Sequence, residues 1–119
     1  MAIQSDKTNS VHYTWGNNCD SWTLTEGDDL SVKLESMPPG SRETLHFHSN
    51  AKQFFFILNG EANFFIGDEQ IKVIAQQGIL IHPGAKHFIS NDSNEKLEFL
   101  VISQPSTSKD RTEVKNSSI

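Results

Sequence analysis

Cysteine, basic clusters and long apolar runs are all scarce in this sequence, and each scarcity argues against a class of protein. A single cysteine, Cys19, cannot form an internal disulfide, so we expect a protein of the reducing cytoplasm. The ten Lys and Arg residues are scattered and the formal net charge is -5, which argues against nucleic acid or an anionic membrane as a partner. No apolar run approaches transmembrane length, and the first ten residues lack the apolar core of a signal peptide.

A helical repeat of apolar residues is also missing. Short apolar runs such as LSVKLESM, QFFFILN, EANFFIG and LEFLVIS are separated by Gly, Pro and Asn turns, which is typical of β-strands. QFFFILN and EANFFIG flank Gly60 and predict a hairpin. Many short strands at this spacing predict an all-β sandwich or barrel of two antiparallel sheets, with little or no helix. We expect one domain at residues 11–104, a flexible N-terminus at 1–10 and a flexible polar tail at 105–119.

Two of the five histidines, His46 and His48, stand one residue apart. Residues two apart on a strand face the same side, so the two imidazoles project together and can converge on a cation. A third histidine, His87, follows the HPGAK loop and opens another predicted strand. Three imidazoles from two parts of a small β-domain suit one divalent transition metal ion: Fe, Mn, Ni, Zn or Cu. His82, across the loop from His87, is interpreted as a loop-edge side chain rather than a fourth ligand.

The stretch GSRETLHFHSNAKQFFFILNG at residues 40–60 resembles the first sequence motif of the small single-domain cupins. HPGAKHFISN at residues 82–91 is similar to the second motif. The positions that match the motifs are Gly40, His46, His48, Gly60, Gly84, His87 and Asn91. The resemblance covers about residues 30–103 and implies a jelly-roll barrel, or double-stranded β-helix, with the three histidines lining a site in its mouth.

Gln53 stands where this family usually has a glutamate ligand. An amide oxygen is neutral and a weaker ligand than a carboxylate, so we expect lower metal affinity and a stronger Lewis acid at any bound ion. Three interpretations stay open: Gln53 is a direct ligand, it is a hydrogen-bonding residue beside the ligands, or the metal site is degenerate. Neither Glu43 nor Glu61 is a persuasive replacement for the missing carboxylate, because strand parity places Glu43 on the wrong face and Glu61 at a solvent-facing strand end.

If Gln53 faces inward, the alternate residues of its strand also line the interior and form an apolar cup around the metal. The predicted pocket residues are Thr44, Phe55, Ile57, Phe64 and Phe99. We expect this cup to bind a small-molecule ligand or substrate.

The remaining apolar side chains of this region are predicted to form one outer surface. Its members are Leu45, Phe47, Phe54, Phe56 and Leu58. So large an apolar surface needs a cover. We predict a homodimer packed through this surface, and the alternative is that the N-terminal segment with Trp15 and Trp22 folds over it.

Two functions remain open at this point. The first is a metal-dependent enzyme, with dioxygenase chemistry slightly favoured over isomerase or lyase chemistry. The second is a non-catalytic cupin that binds or senses a small ligand. The sequence contains no recognisable carboxylate pair, phosphate loop or Ser–His–Asp arrangement, so the metal would carry any chemistry. The fold alone does not decide between an enzyme and a binding protein.

Overall fold

The computed structural model describes residues 1–115, and this part of the chain contains eleven strands and no helix. The strands are β1 Val11–Trp15, β2 Cys19–Glu26, β3 Ser31–Met37, β4 His46–Phe47, β5 Lys52–Asn59, β6 Glu61–Ile66, β7 Glu69–Ile74, β8 Gly78–Ile81, β9 His87–Ser90, β10 Leu97–Gln104 and β11 Thr112–Glu113. Residues 1–115 therefore contain no helix that could span a membrane.

The strands form two antiparallel sheets. The six-stranded sheet has the order β1-β2-β3-β10-β5-β8, and the five-stranded sheet has the order β11-β4-β9-β6-β7. Within each sheet, strands far apart in sequence pair with each other, such as β10 with β3 and β4 with β9. The predicted all-β jelly roll of two antiparallel sheets is confirmed.

The predicted hairpin at Gly60 is wrong. β5 pairs with β10 and β8, whereas β6 pairs with β7 and β9, so the chain passes from one sheet to the other at this glycine. Gly60 has a φ of 88°, and a Cβ there would lie 2.7 Å from the backbone oxygen of Lys96. A side chain is therefore excluded by both conformation and space, which suits a corner between sheets.

The hydrophobic core fills one end of the space between the sheets. Alternate residues of β5 and β10 point inward, as the buried pattern of each strand shows. The largest fully buried apolar side chains are Phe64, Phe99, Met37, Ile57, Ile89 and Leu97. Towards the other end the inward residues become polar, with Gln53 on β5 and Ser103 on β10 buried as a cross-strand pair.

The predicted outer surface divides between the two sheets. Phe47 lies on β4 of the five-stranded sheet, with Leu45 just before it, whereas the other three predicted members lie on β5 of the six-stranded sheet. The motif strands of a jelly roll belong to opposite sheets, so parity along the sequence could not place them together. On the six-stranded sheet, cross-strand neighbours extend the apolar surface instead. We call this set the apolar outer face: Leu34, Phe54, Phe56, Leu80, Leu100 and Ile102.

Neither tryptophan lies over β5. Trp22 sits on β2, which β3 and β10 separate from β5, and it pairs with Leu34 at the margin of the apolar outer face. Trp15 at the end of β1 lines a cavity on the other side of the sheet. Phe54 consequently remains 38% exposed within the described residues.

Candidate metal centre

Three histidines converge in the mouth of the barrel. His46 opens β4, His48 follows β4, and His87 opens β9 directly opposite His46 in the strand register. One ligand nitrogen from each of the three lies within 4.8 Å of the others, and all three side chains are buried. This cluster is the predicted set, and it could hold a metal ion.

The second nitrogen of each ring is already hydrogen-bonded to a backbone carbonyl. Nδ1 of His46 donates to Thr44 at 2.7 Å, Nδ1 of His87 donates to Ala85 at 2.8 Å, and Nδ1 of His48 donates to Asp110. A carbonyl can only accept a hydrogen bond, so Nδ1 carries the proton and Nε2 carries the lone pair. This is the arrangement in which neutral imidazole binds a metal.

Two of the three lone pairs have no hydrogen-bond partner in the described part of the chain. Nε2 of His48 and Nε2 of His87 are buried without a hydrogen-bond partner there. Burial lowers the pKa of His46 to about 3 and that of His87 to about 4, and it also lowers the pKa of His48. The three rings are therefore neutral at pH 7, and the donor set fits a divalent transition metal.

Gln53, on β5 of the six-stranded sheet, lines the same cavity as His46 and His48. Its Nε2 donates to the hydroxyl of Ser103 at 3.1 Å. Its Oε1 is buried and, within residues 1–115, accepts no hydrogen bond. An unpartnered buried oxygen is costly unless something occupies it, so this atom is available either to a metal or to a molecule bound beside the metal.

The structure also brings Glu43 to the site, contrary to the expectation from strand parity. Its Oε2 lies 3.9 Å from Nε2 of His46 and 3.7 Å from Nη1 of Arg111, and its Oε1 accepts the Ile89 N–H at 3.2 Å. Parity failed because β4 begins only at His46, so residues 43–45 do not alternate as strand residues. Burial raises the pKa of Glu43 to about 8.

A second carboxyl group, that of Glu35 on β3, is buried in the wall of the same cavity. Burial raises its pKa above the ordinary value. This carboxyl pair could not be recognised from the sequence, because Glu35 lies on β3 of the six-stranded sheet and Glu43, eight positions later, precedes β4 of the five-stranded sheet. Both groups nevertheless face one cavity.

The cavity has a volume of about 450 Å³, in the range of small-molecule sites. Of the predicted pocket residues, Thr44 and Phe55 line it. Ile57, Phe64 and Phe99 do not, because they lie deeper between the sheets and are completely buried in the core. The inward direction of these three side chains was anticipated, but their depth in the barrel was not. His82 is exposed in its loop and lies outside the histidine cluster.

The chain after residue 105 contributes to the site, which nothing in its composition indicated. We call residues 106–115 the C-terminal strap. Its strand β11 pairs with β4, with Glu113 opposite His46, and Val114 N donates to the carbonyl of Leu45 at 2.9 Å. The strap places Arg111 at the cavity wall. Flexibility of this segment stays a prediction, and residues 116–119 of the predicted tail lie outside the described residues.

Comparisons with known proteins agree with this architecture. A family model described as a cupin domain matches residues 33–103. An uncharacterised protein of Methanocaldococcus jannaschii is 32% identical over 91 residues, which are 76% of this chain and 73% of that protein. An oxalate-binding protein of Thermotoga maritima is 33% identical over 66 residues, 56% of this chain and 54% of that protein.

A solved structure with the same fold comes from Thermotoga maritima and is named as a predicted oxalate decarboxylase. It superposes with a TM-score of 0.79 at 21% identity, covering 87% of this chain and 100% of that one. At this identity the likeness concerns the fold alone.

Proposed function

The chain belongs to the cupin family, and on that premise we propose that it is a metal-dependent enzyme acting on a small molecule in the barrel mouth. One divalent transition ion, Fe, Mn, Ni, Zn or Cu, is held by His46, His48 and His87, with the unpartnered Oε1 of Gln53 in the same cavity as a further candidate donor. One observation carries the proposal: three buried imidazoles, each donating Nδ1–H to a backbone carbonyl, bring one ligand nitrogen apiece within 4.8 Å of the others beside a cavity.

The ligand chemistry favours a small anion with two oxygen donors. Three imidazoles and an amide are all neutral, so a divalent ion in this site keeps its full charge and attracts an anionic oxygen ligand. Lys33 and Arg111 add cationic groups to the cavity wall. Oxalate, which one relative is named for binding, is a probe of this class.

When bound, the ion would supply Lewis-acid polarisation of a substrate oxygen or, for a redox-active metal, dioxygen activation. The protein's own groups bind and orient the substrate. Oε1 of Gln53 accepts a hydrogen bond from a substrate or water hydroxyl, and Phe55 and Val101 keep that side of the cavity apolar. Of these chemistries, the proposal slightly favours a dioxygenase over an isomerase or lyase.

A second candidate function is non-catalytic binding of the same kind of anion. The amide at Gln53 favours it, because a neutral donor in place of a carboxylate leaves the site without a charged group opposite the histidines on β5. Metal binding is common to both functions, so turnover separates them.

The first test is elemental analysis of protein purified without an affinity tag. We expect close to one transition metal ion per chain in the wild type and none in a His46→Ala/His48→Ala variant. A His12→Ala/His82→Ala variant is the matched control, because it also removes two histidines but from outside the cluster. A wild-type protein that is metal-free and refuses added metal would sink the proposal.

The second test separates catalysis from binding. Oxygen uptake by the Fe(II)-loaded protein with an oxalate-like substrate, absent in the His46→Ala/His48→Ala variant, supports the enzyme. Tight binding of oxalate by titration calorimetry, with the ligand recovered unchanged after prolonged incubation, supports the binding protein.

We also propose that a second copy of the chain covers the apolar outer face. Cross-strand pairs such as Phe54 with Ile102 and Phe56 with Leu100 place apolar side chains side by side without an intervening charge, which suits sheet-to-sheet packing against an identical surface. Leu80 on β8 is 48% exposed on this face, and Ile74 on β7 of the other sheet is 45% exposed.

These two residues provide a matched pair for testing the dimer. Analytical ultracentrifugation should show a dimer for the wild type and Ile74→Glu, and a monomer for Leu80→Glu. A wild type that sediments as a monomer at micromolar concentration would contradict the dimer, and so would a Leu80→Glu variant that remains dimeric.

A further inference from the structure

The three histidines are not held in the same way. His46 and His87 donate their Nδ1 protons to carbonyls only two residues earlier in the chain, so the local backbone sets the orientation of each ring. His48 instead donates to the carbonyl of Asp110, 62 residues further along the chain. The tautomer of one of the three rings thus depends on a distant segment.

The side chain of Asp110 holds that segment in place. Its Oδ1 accepts the backbone N–H of Ser49 at 2.8 Å, and its Oδ2 accepts those of Asn50 at 3.0 Å and Ala51 at 2.9 Å. These are the three residues that follow His48, in the loop between β4 and β5. One residue therefore binds the loop through its carboxylate and the imidazole through its carbonyl.

Three adjacent backbone N–H groups donate to the side chain of Asp110, and they favour its ionised form. Burial raises the pKa of the Asp110 carboxyl, but the backbone donors from Asn50, Ala51 and Ser49 outweigh burial, and the pKa lies below its ordinary value. A carboxylate has acceptor capacity on both oxygens, whereas the matching amide has it on one only.

We propose that Asp110 is a positioning residue of the metal centre, which keeps His48 in the Nδ1–H tautomer with its Nε2 lone pair directed at the site. The inference rests on the proposed metal-binding function, although the tautomer of His48 is a property of the metal-free protein. Asp110 lies beyond the matched residues 33–103, so this brace belongs to the C-terminal strap and not to the family motifs.

The test uses Asp110→Asn, which keeps the size of the side chain and removes one acceptor oxygen. Nitrogen-15 NMR of histidine-labelled, metal-free protein reports the tautomer of each ring, above the pKa of all three. We expect every ring of the wild type in the Nδ1–H form. In the variant, His48 should shift towards Nε2–H while His46 and His87 stay unchanged, which global destabilisation would not produce. Asp110→Ala, which removes all three acceptor contacts, should give the same signature.

The matched control is Asp6→Asn. Asp6 also accepts a backbone N–H, that of Thr8 at 2.8 Å, but in the N-terminal turn away from the histidines. All three tautomers should be unchanged in this variant. Zn²⁺ affinity, measured by competition with a chromogenic chelator, should fall about 10- to 100-fold in Asp110→Asn and stay at the wild-type value in Asp6→Asn.

The outcomes separate this inference from the function it rests on. An unchanged His48 tautomer in both Asp110 variants would overturn the positioning role even if the wild type binds metal. Unchanged Zn²⁺ affinity despite a changed tautomer would overturn it as well. A third outcome is that the Asp110 variants show the expected tautomer shift but the wild type takes up no metal. This would contradict the proposed metal centre, and Asp110 would then position an imidazole that binds no metal.

Discussion

The two sheets of this barrel differ in strand length and in what they contribute to the site. The five-stranded sheet provides the histidines, on or beside strands as short as β4 with two residues and β9 with four. The six-stranded sheet provides the apolar wall and Gln53, on strands such as β5 and β10 with eight residues each. The three histidines and the longest hydrogen-bonded strands therefore lie on opposite sides of the cavity.

The difference has a physical reason. In a long ladder most backbone carbonyls are paired with a neighbouring strand, so few are left for a side chain. The carbonyls of Thr44 and Ala85 lie just before short strands and are free to accept from His46 and His87. Tautomer control of the histidines thus requires irregular backbone, whereas packing the core requires regular strands.

The largest expected effect tests the stabilising role of the six-stranded sheet. Phe99 is completely buried, with its ring centroid 5.8 Å from that of Phe55. Phe99→Ala should lower the free energy of unfolding by about 3–5 kcal/mol, because it leaves a cavity in the core. Guanidinium denaturation measures this loss, and Zn²⁺ affinity measured well below the unfolding midpoint should be unchanged. Phe88→Ala, on the outer side of β9, is the control and should cost less than half as much. A variant of Phe99 that loses metal affinity while folded would contradict the division between the sheets.

The next effect tests the five-stranded sheet through pH. The pKa values of His46, about 3, and His87, about 4, lie below the ordinary value of 6.5 because the rings are buried. Below about pH 6.5 the unfolded chain takes up protons that the native protein refuses, so stability is full above this pH and falls as the pH drops towards 4 and 3.

For the metal-free protein this loss should be on the order of 3 kcal/mol for each of the two rings between pH 6.5 and 4, beyond what the carboxyl groups contribute. Denaturation of the metal-free wild type and of a His46→Gln/His87→Gln variant across this window measures it, and the variant should have the flatter profile. Parallel profiles would mean that the two rings are protonated in the native state.

The histidine cluster was accessible from the sequence because its signal is local. Parity places His46 and His48 on one side, and the motif around His87 supplies the third ring. The all-β class was accessible for the same reason, since alternation and turn residues are read over a few positions. The structure agrees with these expectations wherever the determining interactions lie within one strand.

Features that depend on which strands pair with each other could not be predicted from the sequence. Gly60 separates two strands that look like a hairpin but belong to different sheets, and the predicted outer surface failed for the same reason. The contribution of Glu43 was not predicted, because strand parity was applied to residues that precede β4. The hydrogen bond between His48 and Asp110, which are 62 residues apart, is visible only in the structure.

A smaller effect tests Glu43, which titrates in the opposite sense to the histidines. Its pKa is raised to about 8, so the native protein keeps the proton while the unfolded chain releases it above about pH 4.5. The stability contributed by the neutral carboxyl is therefore complete below pH 4.5 and is lost as the pH rises towards 8.

In metal-free Glu43→Gln this loss should disappear. Relative to the wild type, the variant should gain stability between pH 4.5 and 8, by an amount on the order of 4 kcal/mol, because the native pKa of about 8 lies well above the ordinary value of 4.5. Glu61→Gln, at an exposed carboxyl on β6, should follow the wild-type profile. Identical profiles for Glu43→Gln and the wild type would mean that Glu43 is ionised in the native protein.

The smallest expected effect tests whether the six-stranded sheet takes any part in metal binding. Gln53→Glu puts a carboxylate where Oε1 of the amide is now buried without a partner among the described residues. A negative oxygen beside three neutral imidazoles should tighten Zn²⁺ binding by about tenfold, and Ser103→Ala, which removes only the hydrogen bond to Nε2, should change the affinity less.

The same carboxylate without metal is a buried charge that has no partner, so metal-free Gln53→Glu should be less stable than the wild type. Competition titration and denaturation of the metal-free protein measure the two effects. If neither the Zn²⁺ affinity nor the stability of the metal-free protein changes in Gln53→Glu, the oxygen of residue 53 does not approach the ion, and the five-stranded sheet alone holds the metal.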